Sequence, residues 1–145
     1  MKPNETLPDT KDTPVIRTDF EDEATWKRIC NLILLPVRDG EEEFYAYVDF
    51  VDDPKLRYLS VKELLAMVPQ GYGHSFVFVV DREAMQQPEF PILVVDLYGE
   101  SGRTFRAIPS EVQGIQNNLS IANMDFYEFA DRVDGDGVFR GFKVP

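Results

Sequence analysis

Five aspartates, Asp19, Asp52, Asp53, Asp81 and Asp96, each follow an apolar stretch of the chain. Carboxylates at the ends of parallel strands gather along one edge of an α/β sheet, the edge where such sheets bind ligands. Gathered there, they could hold Mg²⁺, which takes oxygen ligands. A plainer reading competes with this one. Asp is common where a strand gives way to a helix, because its side chain caps free backbone N–H groups. Spacing alone does not bring separate loops together, so the capping reading is preferred. No metal site, cofactor or catalytic residue is expected.

Other motifs are weaker. "DGDG" at 134–137 suggests a calcium loop, but an EF-hand started at Asp134 would need an oxygen ligand at Val138, Gly at Phe139 and a carboxylate at Pro145. All three fail. Two Asp-Gly turns, with Gly135 as a left-handed helix terminator, fit better. "GYGHSF" at 71–76 places Gly73 correctly for a nucleophile elbow, but Val77 stands where the second glycine belongs. It reads as a turn entering a strand. His74 is the only histidine and Cys30 the only cysteine, which leaves no zinc ligand set and no internal disulfide. In Asp53-Pro54-Lys55, an acid-x-Lys nuclease element would put Pro54 inside a strand.

The richest polar cluster is "NNLSIANMDFYEFADRVDGDGVFRGF" at 117–142. Two readings stay open. In one, the amides satisfy helix ends while Phe126, Phe129, Val138, Phe139 and Phe142 close the core. In the other, Asn118 and Asn123 join Arg17, Tyr98 and Arg103 in a polar pocket.

These residues need a frame. "PVIRT" reads as a first strand. "TDFEDEATWKRICNLIL" reads as a helix opened by a Thr18–Glu21 capping box, with Trp26, Ile29, Cys30 and Ile33 on its buried stripe. "FYAYVDFV" alternates and reads as one half-buried strand. "SVKELLAM" is a short helix with a Ser60–Glu63 capping box. "SFVFVVD" and "FPILVVDLY" are unbroken apolar runs, which predicts adjacent central strands covered on both faces. "RTFRAI" forms a hairpin strand after "GESG". Helices follow over "PSEVQGIQNNL", with Ser110 as N-cap, and "NMDFYEFADRV". The expected fold is a single layered α/β domain. A mixed sheet of about five strands carries packed helices, and a C-terminal hairpin strand is followed by two helices. Residues 1–13 have little to bury and read as a disordered tail; residues 14–145 form the domain.

At 145 residues the chain suits one core, and its 43% hydrophobic content is globular. The 26 acidic against 15 basic residues give a net charge of −11. That field repels nucleic acid and anionic membranes and favours a basic partner. The polar start "MKPNETLPDTKDTP" has no apolar signal-peptide core, no run approaches a membrane span, and a cytoplasmic location is expected. The function expected is non-enzymatic binding of a basic protein partner, as an inhibitor, immunity-type or accessory protein would do. The expected contacts are loop residues Glu41, Glu42, Glu43, Asp52, Asp53 and Glu100. Tyr45 and Tyr47 could add an aromatic anchor, but cover by a helix is the expected fate of their strand face. A small-ligand pocket or enzyme site at the acidic strand ends or the Asn-rich link is the alternative.

Four stretches, "VIRTDF", "AYVDFVDDP", "LVVDLYGESGRTFR" and the 117–142 block, together resemble an uncharacterised bacterial family, a domain of unknown function. The resemblance spans nearly the whole chain apart from the tail. It implies a shared fold and assigns no activity and no site residue.

Overall fold

The structure is a computed structural model that describes residues 5–143. Strand β1 (Thr13–Arg17) leads through helix α1 (Glu23–Leu34) to a hairpin of β2 (Val37–Asp39) and β3 (Glu42–Phe44). Strand β4 (Val48–Val51), a 3₁₀ turn at Pro54–Leu56 and helix α2 (Val61–Ala66) follow. Next come β5 (Phe76–Val80), α3 (Arg82–Gln86), β6 (Ile92–Asp96) and β7 (Thr104–Ala107). A 3₁₀ turn at Pro109–Glu111, α4 (Val112–Ser120), α5 (Phe126–Ala130) and β8 (Val138–Phe139) complete the order. The main sheet runs β4-β1-β5-β6-β7-β8, and β2 pairs with β3 apart from it.

The unbroken apolar runs form the two central strands, adjacent and buried at every position. Alternation of side chains sends Phe76, Phe78, Val80, Ile92 and Val94 to one face, where Trp26, Ile29 and Ile33 of α1, Ile115 of α4 and Phe129 of α5 cover them. Val77, Val79, Leu93 and Val95 take the other face, under Leu64, Leu56, Met67 and Leu7. Burial of each such side chain favours folding by about 1.5–3 kcal/mol, so the two-sided cover explains why neither strand alternates in sequence.

Several details differ from expectation. There are six strands in the main sheet, not about five, because Val138–Phe139 adds parallel to β7. β6 runs antiparallel to β5 as well as to β7. The reversal passes through Glu89 (φ 69°) and Phe90 (φ 49°), both in the left-handed region that their residue types disfavour. "FYAYVDFV" is not one strand. It breaks at 45–47, because the Tyr47 N–H donates to Gln116 Oε1 (2.8 Å) and the Tyr45 carbonyl accepts from Asn117 Nδ2 (3.2 Å). Side chains of α4 thus take the bonds a ladder would have used.

Helix α1 starts later than the Thr18–Glu21 pattern suggests. Its cap is Asp22, which accepts from the Thr25 N–H (3.0 Å), while Thr18 extends the β1–β5 pairing by donating to the Val80 carbonyl (3.1 Å). The Ser60–Glu63 box forms as read. Ser110 falls inside the 3₁₀ turn and does not cap α4. The left-handed glycine of "DGDG" is Gly137 (φ 82°), not Gly135. Residues 1–4 of the expected tail lie outside the described residues. Residues 5–12 pack against the domain: Leu7 is buried, its N–H donates to the Met67 carbonyl (2.8 Å), and Pro8 accepts from the Tyr72 hydroxyl (3.1 Å).

Candidate functional site

β4, β1 and β5 are parallel, so Asp52, Asp19 and Asp81 do share one sheet edge. Asp96 ends the antiparallel β6 and lies at the opposite edge. Each carboxylate at the shared edge is occupied locally. Asp19 accepts from the Glu21 N–H (2.9 Å) and Asp53 from the Lys55 N–H (3.0 Å). Asp81 caps α3 through the Ala84 N–H (3.0 Å) and takes a two-pronged contact from Arg106 (2.9 and 2.7 Å). Among the described residues, no group of three or more His, Cys, Asp or Glu is placed to hold a metal ion.

Arg17 sits at the centre of that edge, 2% exposed. Its Nε donates to the Asp19 carbonyl (3.0 Å), and Nη1 meets Glu23 (2.8 Å) and Asp52 (3.2 Å). Its guanidinium stacks 4.3 Å from the Phe20 ring centre and 5.2 Å from that of Trp26. Arg17 is therefore a framework residue, remote in the fold from Tyr98. Cys30 on α1 feels the same group of charges. Burial first, then the Asp52 charge, push its thiol up to about 11, against the lowering effect of Arg17. A thiol raised in this way is unreactive until the pH climbs toward that value. At pH 8, alkylation of Cys30 by iodoacetamide should run about two orders of magnitude slower than for a free cysteine, as followed by mass spectrometry. Modification at the free-thiol rate would show that the site is wetter and more open than its packing indicates.

The β2–β3 hairpin presents a different surface. Gly40 (φ 63°) supplies the left-handed turn residue, and Asp39 pairs with Glu42 across it. Glu41, Glu42 and Glu43 are all exposed there. Beside them Leu34, Leu35, Phe44, Tyr45 and Tyr47 are also exposed, Leu35 at 57% and Tyr47 at 59%. The register places Phe44 opposite Val37, which brings the end of α1 and the hairpin together. Arg38 is the one cation on the hairpin, and it is paired with Glu43 (2.6 Å). Glu43 also accepts from the Tyr45 hydroxyl (2.7 Å), which raises the pKa of that phenol. The Gln116 and Asn117 bonds hold the hairpin base on α4 and leave the tyrosine rings outside. The alternating pattern of 44–50 suggested a covered face for those rings; no helix covers them.

The remaining candidate residues scatter. Asp52 and Asp53 follow β4 while the hairpin precedes it, so the two acidic groups lie beyond opposite ends of that strand. Glu100 lies in the β6–β7 turn and pairs with Arg103 (3.1 Å), which also meets Asp131. Asn118 donates to the Gly114 carbonyl (2.8 Å) and accepts from Asn123 (2.7 Å), while its own carbonyl receives the N–H groups of Asn123 and Met124. Those amides finish α4. The chain around them does wall a cavity of about 540 Å³, which reaches Tyr98 and Glu100 but not Asn118, Asn123, Arg17 or Arg103. A smaller cleft of about 250 Å³ holds Arg106 and Arg140, both committed to carboxylates. No helix among the described residues is long and apolar enough to cross a membrane.

A family model described as Domain of unknown function (DUF6924) matches residues 12–142. No curated protein matches the chain.

Proposed function

The chain belongs to that family, DUF6924, and we propose that it acts without catalysis by binding a basic protein partner through the β2–β3 hairpin. One observation carries the reading. Apolar side chains Leu34, Leu35, Phe44, Tyr45 and Tyr47 stand exposed beside Glu41, Glu42 and Glu43, and the hairpin's own cation, Arg38, is already paired. Contiguous exposed apolar groups rimmed by charge mark interaction surfaces, and tyrosine supplies contact area at low entropic cost. The net charge of −11 adds a long-range field that speeds encounter with a basic surface. Asp52, Asp53 and Glu100 contribute to that field, not to this contact.

The test uses the partner recovered from the native host. Association should slow as salt rises, because screening acts over about 8 Å at physiological ionic strength. Reversing all three glutamates to lysine should lower the association rate by about tenfold or more with little change in melting temperature. Tyr47→Ala should act instead on dissociation. A partner whose association ignores both charge reversal and salt would defeat the reading.

A further inference from the structure

The second site lies at the sheet edge where β1 and β5 begin and β6 ends, on the far side from Arg17. Its volume of about 540 Å³ falls in the range of small-molecule pockets, about 300–1,000 Å³. Phe76, Leu119, Met124 and Phe126 give it an apolar wall, and Tyr98 and Tyr127 add two phenol rings. Tyr98 is 85% exposed, which is unusual for a ring of that size without a companion. Among the described residues, no Lys or Arg lines the cavity, whereas Asp96, Glu100 and Asp125 do. Arg103 offsets Glu100 from outside. Asp96 and Asp125 have no cationic partner among the described residues.

Asp96 is buried at 4% exposure, and its two oxygens accept from the N–H groups of Tyr98 (3.0 Å) and Glu100 (2.8 Å). Those bonds fix the carboxylate and leave it lone pairs to spare. Gly99 leaves its approach open, since a Cβ there would already lie 3.6 Å from Asp96 Oδ2. Asp125 sits at the start of α5, where its N–H donates to Glu128 (2.8 Å). An apolar, ring-lined cavity with two uncompensated carboxylates suits one ligand class. We infer that it binds an aromatic amine: a flat apolar body against Phe76 and Phe126, with a protonated nitrogen toward Asp96 and Asp125. The rings also favour a cation through their π faces. This site is separate from the hairpin surface and stands whether or not that surface binds a protein.

Tryptamine serves as probe, with indole-3-propionate as the matched acid that carries the opposite charge. Tryptamine should give saturable NMR shifts at the amides of Ser75, Tyr98 and Leu119 and bind at least about tenfold more tightly than the acid. Asp125→Asn keeps a good capping residue and removes one charge, so it should narrow that difference. Gly99→Leu fills the space beside Asp96 at a glycine without a positive φ, and should abolish all three shifts while the fold persists. Equal binding of amine and acid overturns the inference, as does no saturable binding. So does tryptamine binding that survives Gly99→Leu unchanged.

Discussion

Phe129→Ala should destabilise the protein by about 3–5 kcal/mol. Phe129 is 2% exposed and stands where α5 meets the β7–β8 side of the sheet. It stacks on Phe105 (centroids 6.5 Å apart, planes 8° apart) and meets Phe139 edge-on (5.3 Å, 84°) and Phe142 at a tilt (5.3 Å, 40°). Its removal loses three ring contacts and the ring's own transfer free energy. The void cannot collapse easily, because Phe105 and Phe139 are fixed on paired strands. Phe126 is the control. It is half-buried and, among the described residues, meets only the Phe105 ring, at 5.0 Å, so Phe126→Ala should cost less, about 1–2 kcal/mol. Urea unfolding with an unchanged m-value gives both numbers. A Phe129→Ala loss below about half a kcal/mol would mean that α5 does not seal the core.

Phe126 and Phe129 share one helical stripe in the sequence, and that stripe does not distinguish them. Periodicity reports which way a residue faces, not how deep its surroundings are. The central strands were readable for a related reason. Cover on both faces removes the alternation, and an unbroken apolar run remains. The direction of β6 was not readable, since it depends on a reversal through Glu89 and Phe90, residue types that do not advertise left-handed backbone. β8 is two residues long and carries no pattern. The exposure of Tyr45 and Tyr47 depends on Gln116 and Asn117, distant in the chain, taking the backbone bonds of a strand that would otherwise continue. The acidic hairpin was visible as a loop. Its apolar neighbours Leu34 and Leu35 were hidden, because the end of a helix stripe looks the same whether or not anything covers it. The amide-rich stretch at 117–123 turns out to serve several purposes. It ends α4, anchors the hairpin and walls the cavity, and local sequence points only to the first.

Arg17 yields the other large effect, and its size should depend on the replacement. Arg17→Ala should cost about 3–5 kcal/mol, as expected when a large buried side chain is truncated and its polar contacts go with it. The loss has two parts. One is packing, since the side chain fills space between Phe20 and Trp26. The other is polar: the bond to the Asp19 carbonyl and the contacts with Glu23 and Asp52. Glu23 and Asp52 are 59% and 46% exposed, so water can solvate both after the arginine is gone. Within the native site, Nη2 is buried with no hydrogen-bond partner among the described residues, an arrangement that itself costs about 1–3 kcal/mol. A methionine restores most of the volume, keeps a polarizable contact with the rings and removes that buried donor. Arg17→Met should therefore lose no more than about 2 kcal/mol, well under the alanine variant. Arg17→Lys should fall between them, because one ammonium cannot reach the Asp19 carbonyl and both carboxylates in the same plane. Chemical denaturation of the three variants orders them. If methionine proves as damaging as alanine, the charge at the sheet edge, rather than the volume it fills, holds β1 and β4 to α1.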